Sequence, residues 1–244
     1  MRNIKLTIEF DGTNYAGWQK QKNSITIQQK LEEAIEQIIN NKAEIIGSSR
    51  TDAGVHAKGF VANFKTESNI NAENFKDAIN SKLPRDIVIL NAEEADMSFH
   101  SRYSSIGKKY GYTILNRHVP TALERNFVCH YKKQLDFEAM ETACTYFIGE
   151  HDFSAFKAAG SSVKTTVRNI KKAYLRKDED KIIFFIEGNG FLYNMVRIMA
   201  GTLIEVGNHK LKPYDVINII KSKDRTKAGK TAPALGLCLE VVYY

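Results

Sequence analysis

Cysteine is scarce: three residues, at positions 129, 144 and 238, an odd number at no paired spacing. That excludes a disulfide framework and a cysteine-built zinc site, and it fits a reduced intracellular thiol set. No apolar run approaches the roughly 18–20 residues that span a bilayer. The opening MRNIKLTIEF alternates like a strand rather than reading as a signal peptide, which predicts a cytoplasmic protein with no membrane partner. Phosphate-cradling and metal signatures are missing too: there is no Walker A loop, no dinucleotide GxGxxG and no HExxH. The six histidines share no metal-ligand spacing, so neither a metal nor another cofactor is expected. Acid is in deficit, with 28 Asp+Glu against 35 Lys+Arg and a net charge of +7, a balance that favours a polyanionic partner.

What is present reads as a folded α+β chain, 43% hydrophobic and 26% charged over 244 residues. Ile4, Leu6, Ile8 and Phe10 alternate as a strand that Asp11-Gly12 breaks. Thr26 and Gln29 form a capping box ahead of an apolar stripe at Ile27, Leu31, Ala34, Ile35, Ile38 and Ile39. Strands at 43–47 and 55–64, a helix from Asn71 to about Leu83, and a strand at 87–90 complete a β-α-β-β-α-β order, that of ferredoxin-like folds. A comparable series follows: a strand around Tyr110, a helix capped by Asp136, strands at 169–176 and 181–187, an apolar helix near 191–206, a short helix from Pro213, and a final strand LCLEVVYY. Two halves, 1–105 and 106–244, are therefore expected, sharing one mostly antiparallel sheet with a cleft between them. No Pro- or Gly/Ser-rich linker separates them.

Several residues invite a chemical reading. Asp52 lies in Gly47-Ser-Ser-Arg-Thr-Asp-Ala-Gly-Val-His56, with Arg50 two residues before it and Gly54 two after. Asp and Gly are turn residues, so a plain β-turn explains the segment. A carboxylate held on a tight loop for nucleophilic or acid–base work is the functional alternative. Arg197 falls in FLYNMVRIMAGTLIEV, apolar on almost every face, and a helix of that kind is buried. A buried guanidinium left unpaired costs several kcal/mol, on the order of its desolvation. Glu205 on the same helix face and Asp52 are its candidate acids; capping a carbonyl or snorkelling outward is the alternative. Basic residues cluster: Phe99–His118 and Lys157–Lys177 contain no acid and interleave Lys and Arg with Tyr103, Tyr110, Tyr112 and Tyr174, a pattern suited to tracking a nucleic-acid backbone.

Five blocks then point together. Tyr15-Ala-Gly-Trp-Gln19, Gly47–Ala57 with its RTDAGVHA core, Lys108-Lys-Tyr-Gly-Tyr-Thr113, His151-Asp-Phe-Ser-Ala-Phe156 and Gly188-Asn-Gly-Phe-Leu-Tyr-Asn-Met-Val-Arg197 occur in order along the chain. The chain resembles the TruA family of tRNA pseudouridine synthases. The resemblance implies an isomerase that breaks the N1–C1′ bond of a uridine, rotates the uracil and rejoins it through C5. It implies action at positions 38, 39 and 40 of the tRNA anticodon stem-loop, no cofactor, and a homodimer. Carried over residue by residue, Asp52 is the catalytic aspartate, Tyr110 stacks on the target base, Arg197 pairs with the aspartate, and Arg50 helps hold the flipped nucleotide. Lys108, Lys109, Arg168, Lys171 and Lys172 are the expected RNA contacts. A non-catalytic RNA-binding protein of RRM-like fold is the rival reading; it accounts for the basic runs and tyrosines but gives Asp52 and Arg197 no task.

Overall fold

In a computed structural model of the chain, residues 1–160 and 163–244 are described. They form two compact units, Met1–Ile106 with Leu239–Tyr244, and Gly107–Cys238. Ten strands and five α-helices among the described residues make a mixed α+β protein with mostly antiparallel pairing. None of these helices is long and apolar enough to cross a membrane.

The first unit runs β1 (Arg2–Phe10), α1 (Ile27–Ile39), β2 (Ile45–Gly47), β3 (His56–Thr66), α2 (Asn74–Asn80) and β4 (Ile87–Ala95). Its strands lie in the order β4-β1-β3-β2, the ferredoxin-like arrangement that the βαββαβ order predicts. Register puts the alternating apolar residues opposite one another: Ile4 with Phe64, Leu6 with Ala62, Ile8 with Phe60. All six are fully buried, and each Ile, Leu or Phe side chain so buried contributes about 1.5–3 kcal/mol. Helix α1 starts where its cap says, since Thr26 Oγ1 accepts from Gln29 N–H at 3.3 Å. The box has one arm, because the Gln29 amide turns to Glu33 instead. Asn40 ends the helix in the left-handed region at φ 52°. Helix α2 is shorter than the Asn71–Leu83 span expected: Asn74, Phe75 and Lys82 donate three residues back, to Asn71, Ala72 and Ile79, so tight turns flank a core of two helical turns. Phe75 meets Phe64 edge-on at 5.5 Å, which docks α2 on the sheet.

The second unit runs β5 (Gly107–Leu115), β6 (Cys129–His130), α3 (Phe137–Thr145), β7 (Gly149–Asp152), β8 (Val167–Asp178), β9 (Lys181–Gly188), α4 (Met195–Gly207) and α5 (Asp215–Ser222). Strands pair in the order β5-β9-β8-β7, with β6 parallel to β5. Asp136 caps α3 through Ala139 N–H at 3.0 Å, as its sequence position predicts. Helix α4 begins at Met195 rather than 191 because Asn194 takes a left-handed conformation, φ 59°, that interrupts the apolar run. Its interior is as apolar and buried as expected. Gly201 lets the chain at Lys230 approach: a Cβ there would sit 1.8 Å from the Lys230 carbonyl oxygen. Chain Leu237–Tyr243 forms β10, whose residues from Leu239 onward belong to the first unit beside β3. There Lys58 pairs with Glu240 at 3.0 Å.

Candidate active site

The Asp52 loop joins β2 to β3 across residues 48–55. Val55 N–H donates to Asp52 O at 3.2 Å, so Asp52 opens a tight turn, and Gly54 at φ 76° supplies the left-handed position. The turn and the functional readings of this segment are therefore compatible. The remainder of the loop is held by backbone from residues 12–18. Trp18 N–H donates to Thr51 O and Gly54 N–H to Tyr15 O, each at 3.2 Å. Two glycines permit that approach. A Cβ at Gly12 would lie 2.0 Å from Val55 O, and one at Gly17, already at φ 91°, would lie 2.4 Å from Thr51 O. The clamp is anchored in turn: Tyr15 hydroxyl donates to Asp86 at 2.6 Å, and Trp18 stacks on Phe60 at 4.1 Å. The Trp18 ring also covers Gly47, where a Cβ would be 2.4 Å away. Burial and the Asp86 contact push the Tyr15 phenol well above its ordinary range, so it remains a donor. His56 Nδ1 accepts from Gly12 N–H at 3.1 Å and lies 3.0 Å from Asp11 Oδ1. One nitrogen cannot accept from the amide and donate to the carboxylate at once; with Thr13 N–H and hydroxyl already on Asp11, acceptance from Gly12 leaves that carboxylate satisfied. Asp52 is half-buried and Arg50 exposed on this rigid frame.

In the second unit, Tyr110 is buried on β5 and meets Phe191 edge-on at 5.1 Å. Phe191 follows the turn at 188–190, which β8 fixes through Asn189 N–H to Asn169 O and Asn169 N–H to the Asn189 side chain, each at 3.0 Å. Arg168 stands against Gly190, where a Cβ would lie 3.5 Å from Arg168 Nε. Its guanidinium donates to Thr165 O and Val167 O, and partial desolvation lowers its pKa from the ordinary value. Arg197 is half-buried on α4, not sealed in it: Nε donates to Ala232 O at 2.8 Å and a terminal nitrogen to Asn194 Oδ1 at 2.7 Å. Carbonyl capping, one of the readings open from sequence, is thus part of how this arginine is held. The strip that receives it packs tightly on α4, with Gly229 N–H on Thr202 Oγ1 and Ala232 N–H on Arg197 O.

Strand geometry sorts the basic residues by face. Lys109 immediately precedes Tyr110 on β5, so the two side chains point to opposite faces. Tyr110 faces the interior; Lys109 Nζ lies 4.6 Å from the Phe185 ring and 5.8 Å from that of Tyr174. Lys172 shares the Lys109 face, since both register with Glu187. Lys171 is the extra residue of a β-bulge between Ile170 and Lys172, and both lysines are exposed. Acid-free runs in sequence are not acid-free in space: Arg117 pairs with Asp180 of the β8–β9 turn at 2.8 Å. Among the described residues no group of three or more His, Cys, Asp or Glu is placed to hold a metal ion.

Sequence reasoning gave no holding role to Gly12, Gly17, Tyr15 with Asp86, Phe191, or Asn194 with the Ala232 carbonyl, although Gly12, Tyr15, Gly17, Phe191 and Asn194 all stand in segments it singled out. The signal available was the pair of glycines flanking Tyr15, spaced as a loop that another backbone must approach.

With this geometry in view, the likeness to known proteins is specific. The family model described as tRNA pseudouridine synthase matches residues 6–104 and 143–244. The chain is 59% identical to "tRNA pseudouridine synthase A 2" of Clostridium perfringens and 54% identical to "tRNA pseudouridine synthase A" of Clostridium acetobutylicum, in each case over the whole of both chains. It is 53% identical to the protein of that name from Acetivibrio thermocellus, again over both full lengths. A chain in the crystal structure of a Cbf5–Nop10–Gar1 complex aligns with a TM-score of 0.35 and 11% identity over 82% of this chain and 54% of that one, too loose a likeness to carry weight. The chain belongs to the tRNA pseudouridine synthase family, and it is an isomerase acting on uridine in tRNA.

Proposed function

We propose that this enzyme converts uridine to pseudouridine at positions 38, 39 and 40 of the tRNA anticodon stem-loop, with Asp52 as the carboxylate that acts on the target nucleotide. The observation carrying this reading is the Asp52 loop, a turn clamped by the backbone of residues 12–18 so that its carboxylate is presented on a rigid mount. The reaction breaks N1–C1′ and forms C5–C1′; C5 gives up its proton and N1 gains one, so atoms balance without oxidant or reductant. Inside a stem the nucleotide must first be extruded, which costs a few kcal/mol of lost stacking. The Tyr110 ring and the Arg50 cation offset part of that cost. Arg197 is the cation that pairs with the Asp52 carboxylate in this reading. Lys108, Lys109, Arg168, Lys171 and Lys172 contact phosphates, two copies of the chain bind tRNA together, and the enzyme works in the cytoplasm.

Chemical mapping of pseudouridine in tRNA incubated with the purified protein tests the substrate positions. Label confined to 38–40 is expected; modification elsewhere in the tRNA overturns that assignment. The pairing of charges is tested by a double-mutant cycle of Asp52→Ala and Arg197→Met on stability. Coupling of about 1 kcal/mol or more is expected for interacting groups, and strict additivity would remove Arg197 from this role. Sedimentation at working concentration checks the dimer.

A further inference from the structure

We propose that the loop 96–104 is a second RNA contact of the first unit, a preformed stacking platform for an unpaired nucleobase made by Tyr103, His100 and Arg102. This rests on the tRNA reading above. Tyr103 is the second most exposed large hydrophobic or aromatic residue among those described, at 76%, yet its ring is not free to swing. The His100 ring lies 4.3 Å from it at 35°, and the Arg102 guanidinium stands 5.7 Å from its centroid. His100 is itself locked: its Nδ1 accepts from the N–H groups of Arg102 and Tyr103, at 3.2 and 3.3 Å, and its own N–H donates to Ser104 Oγ at 3.1 Å.

Beneath the platform is a polar mount that is fully buried. Ser101 N–H donates to Asn63 Oδ1, the Asn63 amide to Asn3 Oδ1, and the Asn3 amide to the carbonyls of Asp96 and Phe99. Asn3, Asn63 and Ser101 are at most 1% exposed. A satisfied network of this kind in low dielectric rigidifies what it holds. The mount also reaches the catalytic loop. Ser101 Oγ donates to Ile46 O at 2.6 Å, one residue before Gly47, where the Asp52 loop leaves β2. Tyr244 hydroxyl donates to Ser101 O at 2.6 Å and is hydrogen-bonded to the Ser48 side chain. The platform and the Asp52 loop thus share one support.

A turn that only linked β4 to β5 would need none of this. An aromatic face fixed in water, with its conformational entropy already lost, gains by stacking without a further ordering cost. The accompanying charge favours a nucleic acid over an acid-poor protein face: the Arg102 guanidinium stands at the Tyr103 ring, suited to a base flanked by phosphates.

The test compares Tyr103→Ala, Tyr103→Leu and Tyr103→Phe in tRNA binding and in single-turnover pseudouridine formation. Ala and Leu are expected to weaken tRNA affinity by about tenfold, with KM rising more than the chemical step slows. Phe is expected to stay within about twofold, because every π-face stacks. Melting temperature should be unchanged in all three, since the side chain is exposed. Wild-type affinity in both Ala and Leu overturns the platform. So does a variant whose only change is a lower sedimentation mass, which would make Tyr103 a contact between copies. If the wild-type protein binds tRNA but forms no pseudouridine, the functional reading fails while the affinity arms still decide the platform.

Discussion

The two units are wired alike and loaded differently. In the first, β1 pairs with β3 and β3 with β2, with α1 between β1 and β2; in the second, β5 pairs with β9 and β9 with β8, with α3 between β5 and β8. The corresponding hairpins diverge. Between β2 and β3 the chain spends residues 48–55 on a loop that carries Arg50 and Asp52; between β8 and β9 it turns within Glu179 and Asp180, with Glu179 left-handed at φ 52°. The fold thus supplies the same hairpin twice, and loop length sets the two apart: only the longer one has room to carry Arg50 and Asp52. The means of support differ as well. The Asp52 loop is clamped by backbone meeting backbone over Gly12 and Gly17, whereas the segment around Asp152 is tied by side chains, its carboxylate gathering the Ser154 and Thr166 hydroxyls and the Lys223 ammonium.

The widest gap between the units is expected at those hairpins. Asp52→Asn should lower pseudouridine formation by about 10⁴-fold or more with tRNA affinity little changed. Asp180→Asn loses only an exposed ion pair with Arg117, worth about 0–1 kcal/mol, and should turn over within about twofold of wild type. Single-turnover assays of both variants measure the contrast; comparable losses would mean that the two hairpins are functionally alike.

Glycine substitution probes the backbone clamp. Gly17→Ala combines left-handed strain with a Cβ 2.4 Å from Thr51 O, and should cost about 2–4 kcal/mol with a fall in kcat. Gly160 is also left-handed, at φ 85°, but a Cβ there meets nothing within 4 Å among the described residues. Gly160→Ala should cost only about 1 kcal/mol, in thermal or urea unfolding, and leave kcat alone.

Acid titration separates backbone support from side-chain support. The Ser154 and Thr166 hydroxyls and the Lys223 ammonium hold the Asp152 carboxyl well below the usual carboxylate range. Because the folded value is the lower one, the stabilisation is present above the unfolded value of about 4 and disappears as pH falls through the folded value. Asp152→Asn should therefore cost about 1–2 kcal/mol at pH 7, with the difference from wild type narrowing towards pH 2. A gap independent of pH would show that the charge of Asp152 contributes nothing. The smallest effect concerns binding. Replacing Lys171 and Lys172 by Ala should flatten the dependence of log affinity on log salt by about 1–2 units; an unchanged slope would take both lysines off the RNA path.

Much of this architecture was legible in the chain. Alternation at Ile4, Leu6, Ile8 and Phe10 placed β1, and the caps at Thr26 and Asp136 placed α1 and α3, because hydrophobic period and capping act over a few residues. Both ends of α2 and the start of α4 lie inside the spans that periodicity predicts, where Asn-rich segments and a left-handed Asn194 compete with the helix. Strands β6 and β7 carry too few residues to show a period at all.

Periodicity by itself determined the α+β class, and the resemblance carried by five ordered blocks, RTDAGVHA among them, pointed to the family and to Asp52 as the residue to watch. Tertiary structure alone decided that Gly12 and Gly17 clamp the Asp52 loop, that Arg117 meets Asp180, and that Lys109 turns to Tyr174 and Phe185 while Tyr110 faces the interior. Each of these depends on residues far apart in the chain coming within a few ångströms. A glycine's missing Cβ or a lysine's charge has its effect on whatever lies beside it, and neighbours in space are set by packing and register rather than by order along the chain.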